Sequence, residues 1–227
     1  MQTITGLTPP ETLLEQTYRA ILNAICDGRL APGERLTQEH IAELLKVSRQ
    51  PVAQALTLLK NQGFVKETGR RGLIVAHLDP VFFKAIYELR SAIDPMAARL
   101  AAQRMDGKAK QEGKAIIEDG QRALRSGELG ALVQADARFH AYVYELSGNP
   151  LITEVMNLYW NHLRRAMGEV LHAKGEGKRV LEEHEQILDA LIAGDAEGAA
   201  RTAQAHVLSA VGRVLSAVEA HAKTVHD

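Results

Sequence analysis

The sequence predicts a mostly α-helical chain in two parts: a small head of three helices closed by a β-hairpin, then a larger antiparallel helical bundle. Three observations carry this expectation. Of 227 residues, 46% are hydrophobic but only 4% are aromatic. The cores must therefore be built from Ala, Leu, Val and Ile, which suits helices packed closely on helices. Apolar residues recur at helical spacing along most of the chain. The only β-like runs fall between residues 64 and 76. The length is comfortable for two small domains, with the boundary expected near His77, giving 1–77 and 78–227.

In the head, Leu14, Tyr18, Ile21 and Ile25 recur at helical spacing between Thr12 and Asp27, and Gly28 supplies a stop. Leu30-Ala31-Pro32-Gly33 reads as a turn. Thr37 suits the N-cap of a short helix through Leu45, with Ile41, Leu44 and Leu45 turned inward. Ser48 is expected to cap a third helix. Its first turn tolerates Pro51, because the N–H lost there has no intrahelical partner. Val52, Ala55, Leu56 and Leu59 form one buried stripe, and Gly63 ends the helix. Phe64-Val65-Lys66-Glu67 and Leu73-Ile74-Val75-Ala76 then flank Thr68-Gly69-Arg70-Arg71-Gly72, the pattern of a hairpin. Three helices followed by such a hairpin is the order of a winged helix-turn-helix with a small β-hairpin wing.

Beyond His77 no strand pattern appears. Asp79-Pro80 opens a helix, with Asp as N-cap and Pro at the first position. Helices are predicted over 80–106, 109–126, 128–147, 150–173, 178–193 and 196–222. Their breaks fall at Gly107, Gly127, Gly148-Asn149-Pro150, Gly175 to Gly177, and Gly194-Asp195. Short connections make the C-terminal part an all-α antiparallel bundle.

Composition excludes several classes. A lone Cys26 cannot form an internal disulfide and is expected to serve packing. No apolar run approaches the roughly 18–20 residues of a membrane span, and Met1 to Glu11 lack a signal-peptide pattern. A cytoplasmic protein is expected. The net charge of −1 says little. The first 76 residues carry nine Lys/Arg against seven Asp/Glu, a slight basic excess, so any argument for nucleic acid rests on placement.

A helix fits the DNA major groove, and its N-terminal residues reach base edges. Opposite its buried stripe, the helix from Ser48 shows Arg49, Gln50, Ala53, Gln54, Thr57 and Lys60. Arg49 suits a guanine, Gln50 or Gln54 an adenine, and Ser48 and Lys60 phosphates. Thr37 stands at the preceding helix start, and Arg70 and Arg71 sit between Gly69 and Gly72 in the hairpin. Any amphipathic surface helix can show Arg and Gln outward; the ordered set of helices and Arg-tipped hairpin narrows the choice. Here Gly28-Arg29-Leu30-Ala31-Pro32-Gly33-Glu34-Arg35-Leu36, Val47-Ser48-Arg49-Gln50-Pro51-Val52 and Gly63-Phe64-Val65 resemble the GntR family of regulators. The resemblance implies operator binding by a homodimer, with base contacts at Arg49 and at the wing glycines. The family usually has Arg and Glu where this chain has Ala53 and Gln54, and Gly at Lys46; these departures imply an altered operator preference.

In the bundle, Asp136 and His140 stand four apart and share a helix face, beside the inward-turning Phe139, Val143 and Leu146. With His184 and His206 from two other helices they can converge on a divalent metal such as Zn, Ni or Mn, with Co and Fe also suited. A lone helical His is usually a surface or satisfied core residue. His40, His77, His172, His221 and His226 are read that way, and His162 is left open. Asp136-Ala137-Arg138-Phe139-His140, Ser147-Gly148-Asn149-Pro150, Glu183-His184-Glu185 and Ala205-His206-Val207 resemble the FCD effector domain of the FadR-like GntR subgroup. Many members bind a metal through the Asp, the His four later and two further His, and all four positions are filled here.

That resemblance spans residues 12 to 222 and implies a small organic-acid effector bound at metal and pocket. Arg90 matches the family's Arg in the first helix of that domain, a carboxylate partner by its planar fork; an ion pair with Asp94 or Glu88 is the other reading. Asn161 and Arg164, beside Trp160, are further pocket candidates, and either Arg164 or Arg165 must face away. The expected function is a ligand-responsive transcriptional repressor. Two alternatives are a regulator whose effector is the ion itself, and a metal-dependent hydrolase using Glu183 or Glu185 as base. No HExxH motif, activated nucleophile or phosphate-cradling loop supports catalysis, so no enzyme is expected.

Overall fold

The computed structural model describes residues 11–69 and 72–224. The chain divides into two compact units, Met1–His77 and Leu78–Asp227. In the first, α1 (Leu13–Cys26) opens on a capping box between Thr12 and Glu15. A two-residue strand β1 (Arg35–Leu36), α2 (Gln38–Leu45), α3 (Arg49–Asn61), β2 (Val65–Glu67) and β3 (Leu73–Val75) follow. The hairpin strands pair antiparallel, and β1 adds to the far side of β3, so the sheet order is β1-β3-β2. The expected hairpin is present, but β1 is a third strand that the sequence did not announce. Two residues are too few for a period-2 pattern, and only pairing of Leu36 with Leu73 makes them a strand.

Val52, Ala55, Leu56 and Leu59 are all essentially inaccessible and pack with Ile21, Leu22, Ile25, Phe64, Val65 and Val75. Fully burying each of the larger aliphatic side chains contributes about 1.5–3 kcal/mol, so this stripe anchors α3. Cys26 is buried in the same core, which is the packing role expected. Two expectations need correction. Leu44 is 64% exposed, while Ile41 and half-buried Leu45 carry the inward face of α2. Ser48 occupies the N-cap of α3, but its side chain makes no capping hydrogen bond. Thr37 does cap α2, accepting from the His40 N–H.

The second unit holds α4 (Pro80–Ala102), α5 (Gly107–Ser126), α6 (Leu129–Leu146), α7 (Pro150–His172), α8 (Glu176–Ile192) and α9 (Ala196–Thr224). These six match the predicted segments within a few residues. The largest difference is the end of α4 at Ala102, and α5 starts at Gly107. Asp106, whose carboxylate accepts from the Ala109 N–H, caps α5, so the break there belongs to Asp106 rather than Gly107. Asp79 and Asn149 cap α4 and α7 ahead of a first-position Pro. α4 also runs through Pro95, where the hydrogen bond to the carbonyl four residues back is lost. α4 packs along α9, whose inner line of Ala199, Ala203, Val207, Ala210, Val214 and Val218 is small and fully buried. Close approach also governs α5 against α8: a Cβ on Gly120 would lie 2.5 Å from Leu181 Cδ2.

Among the described residues Lys46 is the one non-glycine with positive φ, at φ 55, ψ 43, ending α2. A left-handed backbone crowds an L side chain against the following carbonyl, at about 1–2 kcal/mol. The Lys46 side chain is exposed. Lys46→Gly is therefore expected to stabilise the first unit by about 1 kcal/mol, read as a raised denaturation midpoint; an unchanged or lowered midpoint refutes the strain.

Candidate functional site

Two sites are built on this scaffold, one in each unit. On the first, the buried stripe of α3 turns Arg49, Gln50, Gln54, Thr57 and Lys60 to solvent. Arg49 pairs with Glu39 of α2, and Lys60 Nζ lies 2.8 Å from Glu67 Oε1 of β2. All four side chains are well exposed, so each pair contributes about 0–1 kcal/mol and is readily exchanged for a phosphate or base. Thr57 instead donates to the Ala53 carbonyl. Ser48 and Thr37 are exposed at the starts of α3 and α2. Gly69 and Gly72 flank the hairpin tip with φ of 46° and 80°, conformations that glycine adopts freely. Arg70 and Arg71 lie outside the described residues.

In the second unit, α6, α8 and α9 bring His140, His184 and His206 together with one ligand atom from each within 4.8 Å of the others. Asp136 joins them: its Oδ1 lies 3.7 Å from His184 Nε2. Asp136, His140 and Tyr144 stand at i, i+4 and i+8, so one face of α6 supplies three of the polar groups. Phe139 stacks on His184 with ring centroids 4.2 Å apart, and Trp160 of α7 flanks His140 at 5.5 Å. The whole cluster is buried.

Burial dominates its electrostatics. It pushes the Asp136 carboxyl up to about 6, although the charges of His206, Arg90 and Arg213 pull the other way. It holds His140 and His184 well below the usual imidazole range, helped by Arg90 and by the neighbouring rings. His140 and His184 are thus in the neutral form that a metal requires. Asp136 Oδ1 and His184 Nε2 are both buried and have no hydrogen-bond partner among the described residues. Two buried polar atoms left unpaired 3.7 Å apart are costly in an apolar interior, and a cation between them would satisfy both if the His184 proton sits on Nδ1. A borderline-soft or hard divalent ion fits a set of three imidazoles and one carboxylate.

His206 is held from behind. Its Nδ1 lies 2.7 Å from Glu183 Oε2, and Glu183 receives a bidentate pair from Arg213 and a hydrogen bond from Ser209. Burial raises the Glu183 carboxyl, but the hydrogen bonds from Arg213 and His206 outweigh it and hold it well below the usual carboxylate range. Glu185 accepts from the Gln121 amide.

Arg90 is buried and donates from Nε and Nη2 to Asp94 Oδ2 at 3.1 and 2.8 Å. Of the two readings of Arg90, the ion pair with Asp94 is present, and Glu88 is exposed. Arg90 Nη2 also lies 3.3–3.4 Å from both ring nitrogens of His140, so the guanidinium touches the cluster. Tyr144 donates to the second Asp94 oxygen. A cavity of about 10 Å³ beside the cluster is lined by Asp94, Phe139, His140, Tyr144, Ile187 and His206, among others. Asn161 and Arg164 do not line it. Both are half-buried on α7, whereas His162 and Arg165 are the buried polar members of that stretch. His40, His77 and His172 are exposed, as expected; the side chains of His221 and His226 lie outside the described residues.

Sequence reasoning missed Tyr87, Tyr144, Arg213 and Ser209. Tyr87 is buried, its hydroxyl has no hydrogen-bond partner among the described residues, and its ring lies 5.0 Å from the Arg90 guanidinium. Tyr144 is four residues beyond His140, so continuing the i, i+4 series along α6 finds it. No comparable signal marks Arg213.

Among the described residues no helix is long and apolar enough to cross a membrane. Residues 13–75 match the bacterial regulatory proteins of the gntR family, and residues 85–209 match the FCD domain. The chain is 30% identical over 222 residues to HTH-type transcriptional regulator LutR of Bacillus subtilis (strain 168), covering 85% of this chain and 96% of that protein. It is 32% identical over 138 residues to the Nta operon transcriptional regulator of Aminobacter aminovorans, covering 60% and 64% of the two chains. Among solved structures, E. coli McbR/YncC superposes with a TM-score of 0.77 at 22% identity, covering 90% of this chain and 98% of that one; at this identity the likeness concerns the fold. The chain belongs to the GntR family: it is a transcriptional regulator with an N-terminal gntR-type winged helix and a C-terminal FCD domain.

Proposed function

We propose that this regulator is a homodimeric repressor whose winged helices read operator DNA and whose FCD domain holds a divalent ion and a small organic acid. The carrying observation is the pair of buried, unpartnered atoms, Asp136 Oδ1 and His184 Nε2, among three converging imidazoles. Asp136, His140, His184 and His206 would hold the ion. Bound there, it supplies a Lewis-acidic point to which a carboxylate oxygen binds. The charge balance favours an anion. Arg90 and Asp94 cancel, the imidazoles ligate in neutral form, and Asp136 offsets only one of the two charges of a divalent cation. Arg90, in contact with His140, would be a second anchor for the same carboxylate, and Asn161 and Arg164, which do not line the cavity, would form a rim.

A second reading is that the ion alone is the effector. The 10 Å³ cavity favours it, since such a space holds about one water and an organic acid must displace side chains to enter. A hydrolase is disfavoured: Glu183 is turned to the back of His206 and bound by Arg213, and Glu185 is engaged by Gln121, so neither expected base is available.

For the DNA contact we assign base reading to Arg49, Gln50, Gln54 and the wing glycine Gly69, and backbone contacts to Thr37, Ser48, Lys60, Arg70 and Arg71. Affinity for a duplex selected from a random library should fall steeply with salt. Arg49→Ala should cost about 1–3 kcal/mol and relax preference at one base position. Salt-independent binding, or a uniform loss across sequences, contradicts the assignment.

For the ion, protein stripped with chelator and reloaded with Zn²⁺ should gain about 2.7 kcal/mol at a hundredfold the dissociation constant. Asp136→Asn should abolish that gain while leaving the stripped protein at least as stable, because it removes an unpaired buried charge. With the ion present, small carboxylates should shift operator affinity. If Zn²⁺ alone sets affinity and no carboxylate adds to it, the ion is the effector.

For the dimer, Leu151 and Leu158 are 65% and 69% exposed on α7, with Val155 half-buried between them at helical spacing. A second copy covering this stripe explains its exposure. Leu151→Asp/Leu158→Asp should sediment as monomer and bind operator more weakly; an unaltered mass would place the interface elsewhere.

A further inference from the structure

We propose that Glu183 is the positioning residue of His206: clamped by Arg213 and Ser209, its carboxylate takes the Nδ1–H and thereby turns Nε2 toward the ion. This rests on the metal centre proposed above and assigns to it a residue outside the ligand set.

The geometry carries it. Glu183 and His184 are neighbours on α8, so one faces the cluster while the other reaches α9 beside it. His206, Ser209 and Arg213 stand at i, i+3 and i+7 on α9 and form one face. Arg213 Nη1 and Nη2 each lie 2.8 Å from a different Glu183 oxygen, and Ser209 Oγ lies 3.0 Å from Oε1. A carboxylate has only acceptors, so across the 2.7 Å contact the proton must sit on His206 Nδ1. Nε2 is then the lone pair left for the site. A simple interhelical ion pair would need Glu183 and Arg213 alone. It would not require the imidazole to share Oε2 at that distance. Metal-ligating imidazoles characteristically donate their other N–H to a carboxylate, which fixes tautomer and ring orientation. Arg213 Nε also lies 3.6 Å from Glu176 Oε2 in the first turn of α8, close enough for charge attraction but without a hydrogen bond.

The test combines two readouts on the full-length protein. Long-range ¹H–¹⁵N imidazole spectra report the His206 tautomer in stripped protein, and competition with a chromophoric chelator reports Zn²⁺ affinity. Glu183→Ala alone would strand a buried guanidinium, so the acceptor is removed in the double variant Glu183→Ala/Arg213→Met. Wild type should show the Nδ1–H tautomer. The double variant should lose that preference and bind Zn²⁺ about 10–100-fold more weakly, with helicity unchanged by circular dichroism. If it fails to fold, Glu183→Gln, which keeps one acceptor, should retain the tautomer and still bind Zn²⁺ several-fold more weakly. Wild-type affinity in a folded variant, or an Nε2–H tautomer in wild type, overturns the proposal. Wild-type protein that binds no Zn²⁺ overturns the metal centre itself, and the tautomer then still decides which nitrogen Glu183 holds.

Discussion

The FCD unit depends on one constraint: the charged or imidazole side chains of Arg90, Asp94, Asp136, His140, His184 and His206 are buried together in a largely apolar interior. Each must find a partner or impose a penalty on the fold. Arg90, Asp94 and Tyr144 solve this among themselves, and His206 is answered by Glu183 and Arg213. Asp136 and His184 are not answered, and they face each other. Phe139, Val143 and Ile187 form the apolar wall of the small cavity beside the cluster and offer it no hydrogen bond. The region of greatest electrostatic cost is thus also the region where the proposed cation would relieve most.

The same network gives the site a means of reaching the rest of the bundle. Its polar groups come from α4, α6, α8 and α9, so any change in their pairing is felt by four of six helices. Arg90 contacts both Asp94 on its own helix and His140 on α6. On the proposed reading, an anion that competes for Arg90 would loosen or shift this α4–α6 contact. The packing around it is close, as Gly120 against Leu181 illustrates, and closely packed helices move between discrete arrangements more readily than they deform. In the DNA-reading unit the logic is reversed. There the apolar stripe of α3 is rigidly buried, while its polar face is held only by weak exposed pairs such as Arg49 with Glu39.

Much of this was legible in the residues. The helical spacing of Val52, Ala55, Leu56 and Leu59 located α3 and its exposed face. The Asp79-Pro80 and Asn149-Pro150 junctions located two helix starts, and the i, i+4 pair Asp136 and His140 located half of the candidate centre. Errors arose where local pattern is short or ambiguous. Leu44 fits the inward spacing of α2 but falls outside the face that packs on α3. The strand at Arg35–Leu36 has no pattern of its own. Ser48 has the residue type of a capping side chain, yet α3 begins without its hydrogen bond.

The amino-acid sequence alone determined the number, type and order of the helices, the winged head and the four polar positions that converge, because these follow from local periodicity, capping chemistry and motif. Only the tertiary structure decided which groups answer one another across helices. That Arg90 is held by Asp94 and Tyr144, that Glu183 stands behind His206 rather than serving as a base, and that Asp136 and His184 remain unpaired depend on helix rotation and crossing. Those are set by the packing of whole faces, a property distributed over residues far apart in the chain and carried by no single spacing within it.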